Sequence, residues 1–203
     1  MNRQDWSLPP IGRLERDPYA REDMVYVSVC DENDDVIACA RLLPTTGSHP
    51  LPDIFSELLA GAKAPKHPGV WELSRFATGV RADDKGRMCA LSQLTLELLE
   101  SVFAHGRRAN IDRLLLVTTI SIERLMLRAG LEAHRFGPTI SIDGSYCVAL
   151  FIEVPRTPVD GAKFMGRRRA VSLSGNAEIA RIIRPVDDSA GRLSAAFALA
   201  IGA

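Results

Sequence analysis

Two apolar runs, MVYVSVC from Met24 and VIACARLL from Val36, flank the polar stretch DENDD. Asp and Asn between two such runs are a β-hairpin signal, so the chain commits early to a sheet. The segments after the hairpin decide the kind of sheet. PTTGSHPLP reads as a loop, because three prolines and a glycine break both the strand and the helix period. Asp53 then caps a short helix over DIFSELLA. KAPKHPG is a second loop, and residues 70–77 read as a buried strand. A polar connector, VRADDKGRM, leads into a helix from about Cys89 to His105. There Leu91, Leu94, Leu98 and Val102 recur at helical spacing, with Leu99 and Phe103 beside them. IDRLLLVTT is a short apolar strand. SIERLMLRAG is a helix with Ile122, Leu125, Met126 and Ala129 on one face, stopped by Gly130. LEAHRFGP and SYCVALFIEV supply two more strands. The order of hairpin, strand, helix, strand, helix and two strands is that of a mixed-sheet α/β domain.

That order fits a GNAT-like acyltransferase fold: a mixed central sheet flanked by helices, with two neighbouring strands splayed into a cleft that admits a pantetheine arm. The regular pattern fades after Pro155. The chain therefore divides into a domain over residues 1–153 and a C-terminal extension over 154–203, which carries the basic run KFMGRRR and the apolar stretch SAAFALAIGA. With 203 residues, one core plus extensions is the expected organisation.

Charge narrows the function. The 25 basic and 25 acidic residues cancel, so no global field draws the chain to nucleic acid or to an anionic membrane. The start, MNRQDWSLPP, has no hydrophobic signal core, and no apolar run approaches the roughly 20 residues that span a bilayer. The expected location is the cytoplasm. Cys30, Cys39, Cys89 and Cys147 are spread without a C-x-x-C pair and read as reduced thiols, with no metal site.

Three pieces in order resemble the acyl-homoserine-lactone synthase (LuxI-type autoinducer synthase) family. They are Trp6 followed by Glu15-x-Asp17-x-Tyr19, then ARLLPTTG around Arg41, then WELSRFA from Trp71 to Ala77. VTTISIERLMLRAG and RFGP resemble the family's later strand and helix, and the likeness covers roughly residues 6–153. The resemblance implies a reaction. An acyl group passes from acyl carrier protein to the amine of S-adenosylmethionine, and the methionine carboxylate then closes the lactone with release of methylthioadenosine. S-adenosylmethionine is a substrate, and no separate cofactor is implied.

The chemistry assigns work to particular side chains. The amine is mostly protonated near neutral pH, so a base must take its proton, and Glu72 is the carboxylate placed for this. A carboxylate is a weak base toward an ammonium, so burial or positioning must help it. Arg41 and Arg75 lie within apolar strands and each needs a carboxylate partner, Asp17 or Glu72. In a regular strand Glu72, Ser74 and Phe76 face one side and Trp71, Leu73 and Arg75 the other. Glu72 and Arg75 share a cleft only if the strand bulges between them. By the resemblance, Trp6 helps line the substrate pocket and the acids and arginines organise it, while Phe76 and Trp71 build walls. Leu116, Met126, Phe103 and Leu150 are expected to line an acyl tunnel. Leu116 stands where the family often has a threonine linked to a 3-oxo group, with Thr118 as a nearby hydroxyl. Acyl carrier proteins are acidic, so Arg107, Arg108, Arg124 and Arg128 are the expected docking cations.

Two departures from the family pattern stand out. Its Arg-x-x-x-Phe pair, on a lid helix upstream of the tryptophan, would fall before Met1. Ala20 stands where the family's Asp-x-Tyr-Asp has its second aspartate. These leave open a truncated or degenerate homologue that binds acyl chains or a partner without turnover. A CoA-dependent N-acyltransferase is the other alternative, though the connector RADDKGRM has two acids and one glycine and makes a poor nest for a pyrophosphate.

Overall fold

The computed structural model describes residues 17–78, 93–157 and 169–174, with side chains from 17–78 and 94–157. The hairpin forms as its residues dictate, with β1 (Val25–Cys30) antiparallel to β2 (Val36–Pro44) across the Asp-rich turn. β3 (Val70–Thr78) pairs antiparallel with β2. α2 (Gln93–Arg108) then leads to β4 (Arg113–Thr119), which lies parallel to β3. α1 is the short turn Pro50–Asp53, α3 is Ile120–Arg128, and β5 (Ala133–Arg135), β6 (Ile140–Ile142) and β7 (Ser145–Glu153) come after it. β8 (Arg169–Ser174) completes the set. Among the described residues eight strands make one mixed sheet in the order β5-β7-β4-β3-β2-β1-β8, with β6 on β7.

The two sheet faces are covered differently. Val27, Ala40, Leu42, Leu73, Leu114, Val148, Leu150 and Ile152 project to one face and pack with Leu94, Leu98, Val102 and Phe103 of α2 and Ile122 and Met126 of α3. Alternation along each strand sends the intervening residues to the opposite face. There Val70, Leu115, Val117 and Ala149 meet Leu51, Phe55, Leu58 and Leu59. Next to them, Tyr19, Met24, Tyr26 and Leu43 form a small cluster of their own. The helices therefore seal one face, and loops and short turns cover the other.

Several local expectations give way to the structure. No helix capped by Asp53 runs through DIFSELLA. The helical turn begins earlier, at Pro50, and a 3-10 turn, Ser56–Leu59, comes next. Proline breaks a helix interior but suits its first turn, whose N–H groups have no intrahelical partner, so Pro50 and Pro52 start this element. α2 continues past His105 to Arg108, and its expected start at Cys89 lies outside the described residues, as does the connector VRADDKGRM. LEAHRFGP yields only the three-residue β5, and ISI forms a strand that its sequence does not announce. Beyond Pro155, β8 joins the sheet antiparallel to β1. Burial raises the pKa of the Cys39 and Cys147 thiols.

One pairing is short. β3 and β4 match only at Val70 with Arg113, Trp71 with Leu114 and Glu72 with Leu115, while β3 runs on to Thr78 and β4 to Thr119. The strands part beyond Glu72. This is the splayed cleft expected of the fold.

Candidate active site

Glu72 is the last residue of β3 to pair with β4, so its carboxylate stands at the fork of the sheet. It is buried, and both of its contacts fall on Oε2. His49 Nδ1 makes a short contact there, and the Leu51 backbone N–H donates to the same oxygen at 3.0 Å. Oε1 takes no partner among the described residues. The arginine expected as a possible partner is replaced by a histidine. His49 precedes α1 and is brought to Glu72 by the folded-back loop between β2 and α1.

Arg41 and Arg75 converge on Asp17 instead. Arg41 is 1% exposed; its Nη1 pairs closely with Asp17 Oδ2, and its Nε donates to Ser74 Oγ at 2.9 Å. Arg75 Nε lies 3.1 Å from the same Asp17 oxygen. Asp17 also accepts the Tyr19 backbone N–H at 3.0 Å, and the Arg41 guanidinium lies over the Tyr19 ring at 5.7 Å. Burial raises the Asp17 pKa, but the charges of Arg41 and Arg75 and the hydrogen bonds from Arg41 and Tyr19 outweigh it, leaving the carboxyl below its ordinary 3.8. Burial pushes the neighbouring Tyr26 phenol up to about 12.

A bulge is present, one step later than expected: β3 pairs regularly with β2 from Trp71 to Ser74, and the irregularity falls at Arg75 and Phe76. On β2 Cys39 and Arg41 are two positions apart, while their partners on β3, Ala77 and Ser74, are three apart. The extra residue brings Arg75 to φ +49°, in the left-handed region. Glu72, Ser74 and Arg75 then share the loop-covered face with Arg41, and Phe76 turns to the helix-covered face beside Leu73. Phe76 is thus wall or core, on the side opposite the charges. Leu116 and Thr118 lie on that same helix-covered side of β4, past the point where the strands part, opposite Leu150 and Val148. Met126, Phe103 and Leu150 belong to the same apolar cluster.

The remaining candidates divide. Trp6 lies outside the described residues. Arg108, Arg124 and Arg128 are exposed, and Leu127 lies exposed between the last two. Arg107 is committed internally, because it pairs with Glu100 and donates to the Pro155 carbonyl at 3.2 Å. A helix-terminal arginine captured by a nearby carbonyl is less available to a partner than its sequence position implies. Ala20 is exposed on the turn after Asp17. Nothing in the periodicity marks His49, and the only signal is a titratable side chain inside a proline-rich loop.

A buried acid at a sheet fork, beside two arginines sharing a second acid, suits an acyl transfer to an amine. The family model described as autoinducer synthase matches residues 1–160. The chain belongs to the autoinducer synthase family.

An acyl-homoserine-lactone synthase of Ralstonia nicotianae is 42% identical over 151 residues, covering 73% of this chain and 74% of that protein. One of Pseudomonas aeruginosa is 35% identical over 175 residues, 84% of this chain and 86% of its own length. Among solved structures, TofI in a ternary complex with an inhibitor and MTA superposes with a TM-score of 0.63 at 36% identity, covering 78% of this chain and 79% of that chain. This synthase is accordingly an acyltransferase of the acyl-homoserine-lactone class, with the GNAT-like sheet. Neither the ordinary N-acyltransferase nor the non-catalytic homologue is favoured. Among the described residues no helix is long and apolar enough to cross a membrane.

Proposed function

We propose that this synthase takes an acyl group from acyl carrier protein, transfers it to S-adenosylmethionine, and closes the homoserine lactone, with Glu72 as the base. The observation that carries the assignment is the position of Glu72 at the fork, with Oε2 held and Oε1 without a partner among the described residues. Directly or through one water, Oε1 takes a proton from the substrate ammonium. The freed nitrogen attacks the thioester carbon, the C–S bond breaks, and the carrier's sulfur leaves as a thiolate that takes up the second proton lost by the nitrogen. The methionine carboxylate next attacks its own γ-carbon. The bond to the sulfonium breaks with its electron pair on sulfur, and methylthioadenosine departs neutral.

In this reading Asp17, Arg41 and Arg75 organise the S-adenosylmethionine pocket on the loop-covered face, and Trp6 adds a wall. Phe76, Leu116 and Thr118 meet the acyl chain on the other side of the fork. Leu116 in place of a hydroxyl-bearing side chain favours an unsubstituted or 3-hydroxy chain. An acidic carrier protein docks on Arg108, Arg124 and Arg128, with Arg107 contributing less. Both substrates are cytoplasmic, and so is the reaction.

The test is a lactone assay by mass spectrometry with S-adenosylmethionine and mixed acyl thioesters of carrier protein and of CoA. Lactone from the carrier-protein thioesters at low micromolar concentration, with little from CoA, is the expected result. Preference for CoA would overturn the donor assignment. Glu72→Gln is expected to lower kcat by about 100-fold or more, and an unchanged kcat would remove Glu72 as the base.

A further inference from the structure

We infer that His49 is a positioning residue for Glu72, holding one carboxylate oxygen so that the other faces the substrate ammonium. The inference rests on the proposal that Glu72 is the base. Both residues are 2% exposed, and the pair is buried in full. A carboxylate that acts as a base is ionised and only accepts hydrogen bonds, so His49 Nδ1 carries the hydrogen and donates to Oε2. The Leu51 N–H donates to that same oxygen at 3.0 Å, from a different direction along the chain. Two donors on one oxygen fix the rotation of the carboxylate and leave Oε1 as the oxygen for the reaction. The proton taken from the ammonium arrives on Oε1, while the Nδ1 hydrogen stays where it is. No proton passes through His49.

The loop that carries His49 is itself tied down. Arg21 donates from Nη1 to the Ser48 carbonyl at 2.9 Å and from Nη2 to the Pro44 carbonyl at 3.2 Å. Its Nε donates to Asp23 at 2.8 Å, which anchors the guanidinium from the other side. Gly47 lies beneath it, and a Cβ there would come within 1.8 Å of Arg21 Nη1. The absence of a side chain at Gly47 lets Arg21 reach both carbonyls. The sequence Arg21, loop, His49, Glu72 is therefore one continuous set of contacts that ends on the reacting carboxylate. Misplacing a catalytic group by about 1 Å costs on the order of 100-fold in rate, which sets the scale for losing the His49 contact.

The experiment compares His49→Phe, His49→Asn and His49→Gln with Glu72→Gln in the full chain, using S-adenosylmethionine and whichever acyl thioester is turned over. Asparagine places an amide N–H near the position of Nδ1, whereas glutamine places it near that of Nε2. His49→Phe is expected to lower kcat by about 100-fold with KM for S-adenosylmethionine within about threefold of the parent. His49→Asn is expected to recover kcat to within about tenfold of the parent, and His49→Gln is not. If His49→Phe fails to fold, as judged by thermal unfolding, the asparagine and glutamine variants decide the matter alone. Equal kcat for those two, or a His49→Phe kcat within about threefold of the parent, overturns the inference. If Glu72→Gln is inactive while the His49 variants are unaffected, only the role of His49 fails. If Glu72→Gln is itself unaffected, the base assignment has failed.

Discussion

The two faces of the sheet are built from the same strands but obey different rules. On the helix-covered face, apolar side chains from β1, β2, β3, β4 and β7 meet α2 and α3, and burial alone holds them. A residue there matters for its volume and shape. On the loop-covered face, Arg41, Glu72 and Ser74 are as deeply buried, yet each is held by a named partner. There a residue matters for where its polar atoms point. The sheet thus separates a face that tolerates exchange from one that does not, and the proposed base, Glu72, sits on the second.

Replacing a side chain by methionine on each face puts this contrast to its hardest test. Arg41→Met leaves Asp17 with one of its two cations and is expected to cost about 3–5 kcal/mol in denaturant unfolding, the scale for breaking a buried pair. A loss below about 1 kcal/mol would show that the charged face needs no pairing. Asp17→Asn comes next, at about 1–3 kcal/mol near neutral pH, because Arg41 then faces a neutral group. The pH dependence comes from the lowered Asp17 pKa. A depressed carboxylate stabilises the fold above its unfolded value, and that contribution is lost as pH falls through the folded value. The gap between parent and Asp17→Asn should therefore narrow as pH drops below 3.8, and a constant gap would break the electrostatic account. Leu98→Met on the fully buried helix side should cost less than about 1.5 kcal/mol and leave lactone production intact.

The smallest effect has the opposite sign. Ser28 is buried with a hydroxyl that finds no partner among the described residues. Ser28→Ala is expected to raise stability by about 1 kcal/mol, measured as an upward shift in the unfolding midpoint.

Much of this architecture is legible in the residues alone. The hairpin, β3, β4, α2 and α3 are readable because each has apolar residues at one clear period. The bulge in β3 is readable as well, since Glu72 and Arg75 cannot share a cleft on a regular strand. His49 is not, because its role depends on a loop folding back onto a residue 23 positions away. β6 and β8 are hidden for another reason. β6 is only three residues long, and β8 comes after the break at Pro155, far along the chain from the β1 it pairs with. Arg107 misleads because a helix terminus displays an arginine in the sequence whether or not a carbonyl captures it.

Arg75 carries one further consequence, for what directed evolution would do to this chain. Its backbone sits at φ +49°, a region that glycine and asparagine enter more easily than arginine does. Where relief of that strain outweighs the lost pair with Asp17, selection for heat resistance alone would favour replacing Arg75, and would discard a cation held beside Asp17. A library sorted by survival on heating and one sorted by signal output should diverge at this position before most others. With Arg75 organising the substrate pocket as proposed, the sturdiest descendants of this synthase would then be silent ones.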